Sequence, residues 1–198
     1  MKLFQSLKEI PITALPGLRI GNAQNYEAMT GVTVLLFDQG AKVGVDISGG
    51  GPASRETPLA SPLTADNPIN AIVLSGGSAY GLAASDGVMQ YLEEHGIGYE
   101  TGFAKVPLVL QSCIYDLGIG RADIRPDAAM GYAACVDAEK NHPISGIIGG
   151  GCGKQKRKIA CLPDLNAALF ADGRLLFGPL RFDLLLHQLA QRGAVDQE

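Results

Sequence analysis

The residues Ser75-Gly76-Gly77-Ser78-Ala79-Tyr80-Gly81 follow directly on the apolar run Ala71-Ile72-Val73-Leu74. A strand feeding a glycine-rich turn that opens a helix is one way to bring backbone N–H groups against a ligand. Three chemistries compete for such a turn. A phosphate loop needs Gly-x-x-x-x-Gly-Lys-Ser/Thr, but Leu82 and Ala83 follow Gly81. A dinucleotide fingerprint needs glycines at its first, third and sixth positions, and the spacing here is wrong. A nucleophile elbow, Gly-x-Ser-x-Gly, is missed by one place, since Tyr80 stands where its last glycine belongs. The structural alternative is close helix–sheet packing with a serine capping the helix start, and it is the leading expectation.

Tyr115-Asp116 is the one polar pair in the apolar stretch from Ser112 to Leu117. A phenol in such a stretch is expected to find a buried partner. In a site it can hold a nucleophile, orient an amide or donate to an oxyanion. His95, His142 and His187 assemble no triad: His95 ends a helix, His142 precedes Pro143 in a loop, and His187 lies in a divergent tail. Cys113, Cys135, Cys152 and Cys161 contain no Cys-x-x-Cys pair, so metal spacing is absent and reduced, isolated thiols are expected.

These groups have to be carried by a soluble scaffold. The 198 residues are 46% hydrophobic and 18% charged, with a mean hydropathy of +0.14. One domain fits that length, and its apolar balance implies a large core or a subunit interface. A net charge of −4 argues against nucleic acid as a partner, because phosphate neutralisation needs a basic face. Neither a secretory leader nor an apolar run of spanning length is present, so no membrane is expected and the cytoplasm is.

Val32–Phe37 reads as a strand buried on both faces, turned by Asp38-Gln39-Gly40 into a returning strand at Lys42–Ile47. Residues 53–70 form a proline-rich loop carrying Arg55-Glu56, and 71–74 a short buried strand. A helix is expected over about 79–94, stopped by Gly96, with small residues from Gly81 to Gly87 letting a sheet approach. Pro107 favours an edge or a strand start for 106–110. A second helix opens at Pro126, and Pro143–Gly153 is glycine-rich, including Gly149, Gly150 and Gly151. Beyond it comes the basic run Lys154-Gln155-Lys156-Arg157-Lys158, then helical patterns at 164–172 and 182–191.

Taken in order, Gly31–Val34, Gly44-Val45-Asp46 with Gly49–Pro52 and Arg55-Glu56-Thr57, Ala71–Gly81, Asp86-Gly87-Val88, Ile114–Leu117 and Arg125-Pro126-Asp127 resemble the DmpA-type L-aminopeptidase/D-esterase family. That family includes β-peptidyl aminopeptidases and the nylon-oligomer hydrolase, and the resemblance covers about residues 12–153. It implies an α+β chain layered as the four-layer αββα sandwich shared with ornithine acetyltransferase. It also implies a self-cleaving hydrolase whose new N-terminal Ser or Thr attacks a peptide, amide or ester with its own α-amine as base. Homo-oligomers of the cleaved fragments, and no metal or organic cofactor, complete the family picture.

Position by position, the resemblance makes Tyr115 the active-site tyrosine. It makes Gly149, Gly150 and Gly151 the lining of the substrate and oxyanion site, and an ungapped alignment places a family lysine at Lys158. Ile147 stands where an oxyanion-holding asparagine is often found. Residues 154–198 resemble nothing in the family, and a frameshift near Cys152–Lys154 is one expected cause, readable in the other two frames of the coding DNA. On this reading 1–153 is the α-fragment-like portion and 154–198 a helical tail. The nucleophile segment is missing, and the fold is incomplete and inactive alone. The alternative is a non-catalytic oligomerisation or ligand-binding module on the same scaffold.

Overall fold

The computed structural model describes residues 11–47, 51–64, 66–142 and 146–153, and the backbone of 181–185. Strand β1 (Leu18–Asn25) pairs antiparallel with the long β2 (Thr30–Asp46). Beyond β2 lie β4 (Ile69–Ser75) and then β7 (Val109–Cys113), with the two-residue β3 (Ser54–Arg55) at the far edge. All neighbours are antiparallel except β4 and β7, whose parallel pairing requires a crossover. Helix α1 (Ala84–Glu94) supplies it, followed by the small hairpin of β5 (Tyr99–Glu100) and β6 (Lys105–Val106). Helix α2 (Ala128–Ala138) completes a helical layer on a mixed sheet, an α+β layered architecture.

The central strands are apolar throughout because both of their faces are covered. Val32, Val34 and Leu36 point to the helices, where they meet Val73, Val88, Leu92 and Ala134. Leu35 and Phe37 point the other way, onto Leu18, Ile20, Ile72 and Leu110. The period of two divides one continuous run between two cores. The helices themselves cross closely. A Cβ on Gly131 would lie 2.0 Å from the Ala84 carbonyl oxygen, and one on Gly87 would lie 1.8 Å from that of Ala128. The small residues of α1 therefore admit a helix, where the pattern suggested a sheet.

Several elements depart from the sequence reading. Asp38-Gln39-Gly40 does not reverse the chain: β2 runs straight through it, with a register shift between Leu36 and Ala41 and Gly40 at φ +72°. One residue in the left-handed region makes a bulge that bends a strand, whereas a two-residue hairpin turn needs more. The true hairpin turn lies at residues 26–29, between β1 and β2. Of the two places expected for Pro107, an edge or a strand start, the structure has the second: it stands just ahead of β7, an internal strand, and leaves every β7 N–H available to its neighbours. Helix α1 begins only at Ala84, after a 3-10 turn over Ser78–Ala83. No serine caps it; the residue ahead of that turn is Gly77, at φ +80°. Helix α2 is capped by Asp127, whose carboxylate accepts from the Met130 N–H at 2.9 Å, and Pro126 sits just ahead of the cap.

In the tail, Arg181–Leu185 is a strand, β8, paired antiparallel with Lys42–Asp46 of β2, where a helix over 182–191 was expected. An exposed half-strand offers unpaired N–H and C=O groups, and that demand outweighs a helical leucine pattern. Lys158, Cys161, His187 and the expected helix over 164–172 lie outside the described residues, as do Gly49 and Gly50. Among the described residues no helix is long and apolar enough to cross a membrane.

Candidate active site

Strands β4 and β7 are the parallel pair, and Ser75 and Cys113 are partners at their carboxyl ends. Chain segments leaving the carboxyl ends of parallel strands form the natural binding crevice of such sheets. Here those segments are Gly76–Ser78 and Ile114–Asp116, and backbone bonds knit them together. The Ile114 N–H donates to the Ser75 carbonyl at 2.8 Å, and the Ser78 N–H donates to the Ile114 carbonyl at 2.9 Å. The Gly76 N–H reaches across to the Gly31 carbonyl at 2.9 Å, drawing in the start of β2.

Asp116 lies under this junction with 3% of its surface exposed. Its Oδ1 accepts from the Gly77 N–H at 2.6 Å, and its Oδ2 accepts from the Thr30 hydroxyl at 2.7 Å. Both bonds have the short lengths of charge-assisted pairs. Gly76 is demanded by the same carboxylate, because a Cβ there would stand 1.9 Å from Oδ2. Gly153 packs against Asp116 in turn. One side chain thus joins the turn after β4, the head of β2 and the end of the glycine-rich segment.

A second, uncharged network lies beside it. Gln111 is fully buried. Its Oε1 accepts from the Ser85 hydroxyl at 2.5 Å, and its Nε2 donates to Ser75 Oγ at 2.9 Å and to the Gly81 carbonyl at 2.7 Å. The Cys113 thiol sits 3.1 Å from Ser75 Oγ. Burial pushes that thiol up to about 11, and with it the Cys135 thiol to about 12. Burial also raises the Cys152 thiol. At neutral pH all three are protonated, so none is a ready nucleophile.

Tyr115 is turned outward and is 76% exposed. The sequence pattern anticipated a buried phenol; the burial instead goes to its neighbour Asp116, because alternate residues of an extended segment face opposite ways. The glycine-rich segment forms a 3-10 turn at Gly149–Gly151, laid across the ends of β1, β2 and β4. The Gly149 N–H donates to Gln24 Oε1 at 3.0 Å and the Gly150 N–H to Thr33 Oγ1 at 3.1 Å. The Thr33 hydroxyl donates onward to Asn22 Oδ1 at 2.7 Å. The Gly151 and Cys152 N–H groups close on the carbonyls of Ile148 and Gly149. Each of these four donors is already taken within the chain. Ile147 is 62% exposed.

The structure therefore gathers Tyr115 and Gly149–Gly151 at one end of the sheet, through Asp116, Gly76 and Gly153. Asp116 was noticed in the sequence only as the neighbour of a phenol, and Thr30, Gln111 and Arg125 were given no role. No local signal marks Asp116, because its burial and its partners Thr30 and Gly77 are set by the fold. Among the described residues no group of three or more His, Cys, Asp or Glu is placed to hold a metal ion.

Residues 11–159 match the model of peptidase family S58. An uncharacterized aminopeptidase of Mycobacterium tuberculosis is 42% identical over 135 residues, covering 64% of this chain and 39% of that protein. The 6-aminohexanoate-oligomer endohydrolase of Paenarthrobacter ureafaciens is 36% identical over 145 residues, covering 73% of this chain and 38% of that protein. The chain thus spans well under half the length of these relatives. In fold it is similar to a Burkholderia sp. beta-aminopeptidase, at a TM-score of 0.54 with 22% identity over 74% of this chain and 43% of the other. It is similar too to the L-aminopeptidase D-Ala-esterase/amidase of Ochrobactrum anthropi, described as a variant of the Ntn hydrolase fold. That match has a TM-score of 0.55 and 16% identity over 72% of this chain and 44% of the other.

Proposed function

Because the chain belongs to peptidase family S58, we propose that residues 11–153 form the substrate-holding half of a self-processing N-terminal-nucleophile hydrolase acting on peptides, amides or esters. The observation that carries this is the convergence of Tyr115, the Gly76–Ser78 turn and the Gly149–Gly151 turn at the carboxyl ends of β4 and β7. In this role Tyr115 faces the scissile amide and donates its phenol to the carbonyl as charge develops there. Gly149 and Gly150 pack closely on Thr33, Asn22 and Leu74, while Gly151 has open space where a Cβ would stand, so an acyl group can lie close to the backbone there.

The attacking group comes from outside the described residues. Thr30 is buried with its hydroxyl bonded to Asp116, and Ser75 Oγ is enclosed by Gln111 and Cys113. The described thiols keep their protons. Neither hydroxyl stands free beside a base, the arrangement that nucleophilic catalysis requires. On this reading the 198-residue chain holds substrate and does not turn it over, and Lys158 belongs to the catalytic end. Incubation with amino-acid p-nitroanilides and D-alanine esters, followed by intact-mass analysis, tests it. No turnover and no covalent acyl adduct are expected; steady turnover or an adduct on any Ser, Thr or Cys sinks the proposal.

Two further expectations belong to this reading. We place the protein in the cytoplasm, on the free thiols at Cys113, Cys135 and Cys152. We also expect a homo-oligomer, since Tyr99, Phe103 and Val106 of the β5–β6 hairpin stand exposed together. Light scattering behind size exclusion checks the assembly. A discrete oligomer with no hydrolysis also fits the non-catalytic binding module, which the absence of an activated nucleophile among the described residues favours as second choice.

A further inference from the structure

Arginine side chains in the described residues divide sharply by what they hold. Arg19 pairs with Asp38, Arg55 with Asp86, and Arg121 with both Glu27 and Asp123. Arg125 holds no carboxylate among the described residues. Its Nε donates to the Ala122 carbonyl at 2.7 Å, and its guanidinium lies 3.7 Å over the centre of the Tyr80 ring. The backbone bond and the aromatic face together fix the plane of the group, and its two terminal nitrogens make no hydrogen bond among the described residues. The two nearest acids in sequence are both committed elsewhere: Asp123 is held at 2.6 Å by Arg121, with the Arg125 charge adding only a minor pull on it, and Asp127 accepts from the Met130 N–H at 2.9 Å. A guanidinium oriented in this way is a fork, matched in shape to a carboxylate's two oxygens.

Its position gives the fork a purpose. Pro126, the next residue, packs on Gly77, where a Cβ would lie 2.8 Å from the proline Cδ. Ile114, the residue before Tyr115, accepts the Ser78 N–H. Arg125, Tyr80 and Tyr115 thus rise from segments joined at the one turn Gly77–Ser78. Tyr80 is 60% and Tyr115 76% exposed, and Arg125 is half-buried, so all three side chains reach solvent at this end of the sheet. A cation stacked on an aromatic ring is partly desolvated on that side, which strengthens its hold on an anion reaching the other edge.

We propose that Arg125 is a specificity-determining residue that reads a carboxylate on the substrate, with Tyr80 as the platform that aims it. The class of ligand is an amide or peptide ending in a free carboxylate, laid across the Gly77–Ser78 turn with its amide toward Tyr115. This rests on the amide-hydrolase reading of the same crevice, yet it concerns binding alone and needs no turnover.

The test titrates the ¹⁵N-labelled full chain with N-acetyl-dialanine and, separately, with its C-terminal amide, at low and physiological salt. The acid is expected to bind about tenfold tighter than the amide, with shifts centred on residues 76–80 and 114–126. Arg125→Gln removes the preference, Arg125→Lys keeps a reduced one, and Tyr80→Leu weakens acid binding about threefold. Equal binding of acid and amide by the unaltered chain overturns the role of Arg125 while leaving the amide-binding crevice in place. A preference that survives Arg125→Gln overturns it as well. Loss of thermal stability in Arg125→Gln without any acid preference in the unaltered chain marks the residue as a clamp between loop and turn, and so also counts against the proposal. Binding of neither probe overturns it too, whereas the hydrolase reading stands or falls on the turnover and adduct measurement.

Discussion

The helix-covered face of the sheet and the turn-bearing end of the same strands rely on the same kind of small residue for opposite purposes. Between α1 and α2, Gly87 and Gly131 let two backbones touch, and what surrounds them is apolar: Val88, Leu92, Ala134 and Cys135. At the ends of β4 and β7, Gly76 makes room for a carboxylate, and what surrounds it is polar: Asp116, Thr30, Ser75 and Gln111, all buried. The first region gains its stability from excluded water and close contact. The second must complete every hydrogen bond or lose the site. A buried, fully partnered polar end is an expensive way to finish a sheet, and it holds three chain segments in one place.

If that contrast is right, its largest consequence falls on Asp116. Asp116→Ala leaves the Thr30 hydroxyl and the Gly77 N–H without acceptors, and the expected loss is about 3–5 kcal/mol in urea unfolding. Asp116→Asn, which keeps an acceptor, should lose clearly less; equal losses would show that packing rather than bonding governs the turn end. In the helical layer, Gly131→Val drives a side chain into the Ala84 carbonyl and should cost about 3 kcal/mol, read by thermal melting. A change under about 1 kcal/mol would mean the helices separate easily, and the contrast with the turn end would fade.

The thiols probe both regions at once. Cys113 at the turn end and Cys135 between the helices are raised to about 11 and 12 from an ordinary 9.0, chiefly by burial. The folded chain therefore holds these protons longer than the unfolded one does. The stability they carry is intact below about pH 9 and is lost as pH rises toward 11 and then 12. Iodoacetamide labelling at pH 8 should be on the order of a hundredfold slower than for a free thiol, and fastest at Cys113, the less buried of the two. Labelling of Cys135 first would reverse the assignment of which region is open. The smallest effect belongs to Tyr115→Phe. With the ring 76% exposed, unfolding should move by less than about 0.5 kcal/mol, although the residue sits one bond from the most sensitive position in the molecule. A large loss there would mean the phenol is structural.

Much of the scaffold was legible beforehand because it follows from local pattern. The unbroken apolar run at Val32–Phe37 announced a strand covered on both faces, and Gly96 announced the end of α1, where it adopts φ +66°. The ordered motifs from Gly31 to Asp127 pointed to the family, and the match over residues 11–159 bears that out. Less legible were features that depend on distant partners. Asp38-Gln39-Gly40 has the composition of a turn, yet β1 and β4 grip the strand before it and β8 the strand after it, and a bulge results. Tyr115 and Asp116 could not be told apart by burial, since either orientation satisfies the chain locally.

Residue order alone determined the alternation that splits one strand between two cores, the stop of α1 at Gly96, and the kinship of the chain. Those depend on side-chain period and backbone freedom, which act within a few residues. Only the folded arrangement decided that Asp116 goes inward to Thr30 and Gly77 while Tyr115 goes outward. It also decided that the N–H groups of Gly149 and Gly150 are claimed by Gln24 and Thr33, and that Arg125 alone of the described arginines is left facing a ring. Hydrogen bonds between residues about 90 to 125 apart in the chain have no local signature, because a donor's choice of acceptor is made by proximity, and proximity by the sheet.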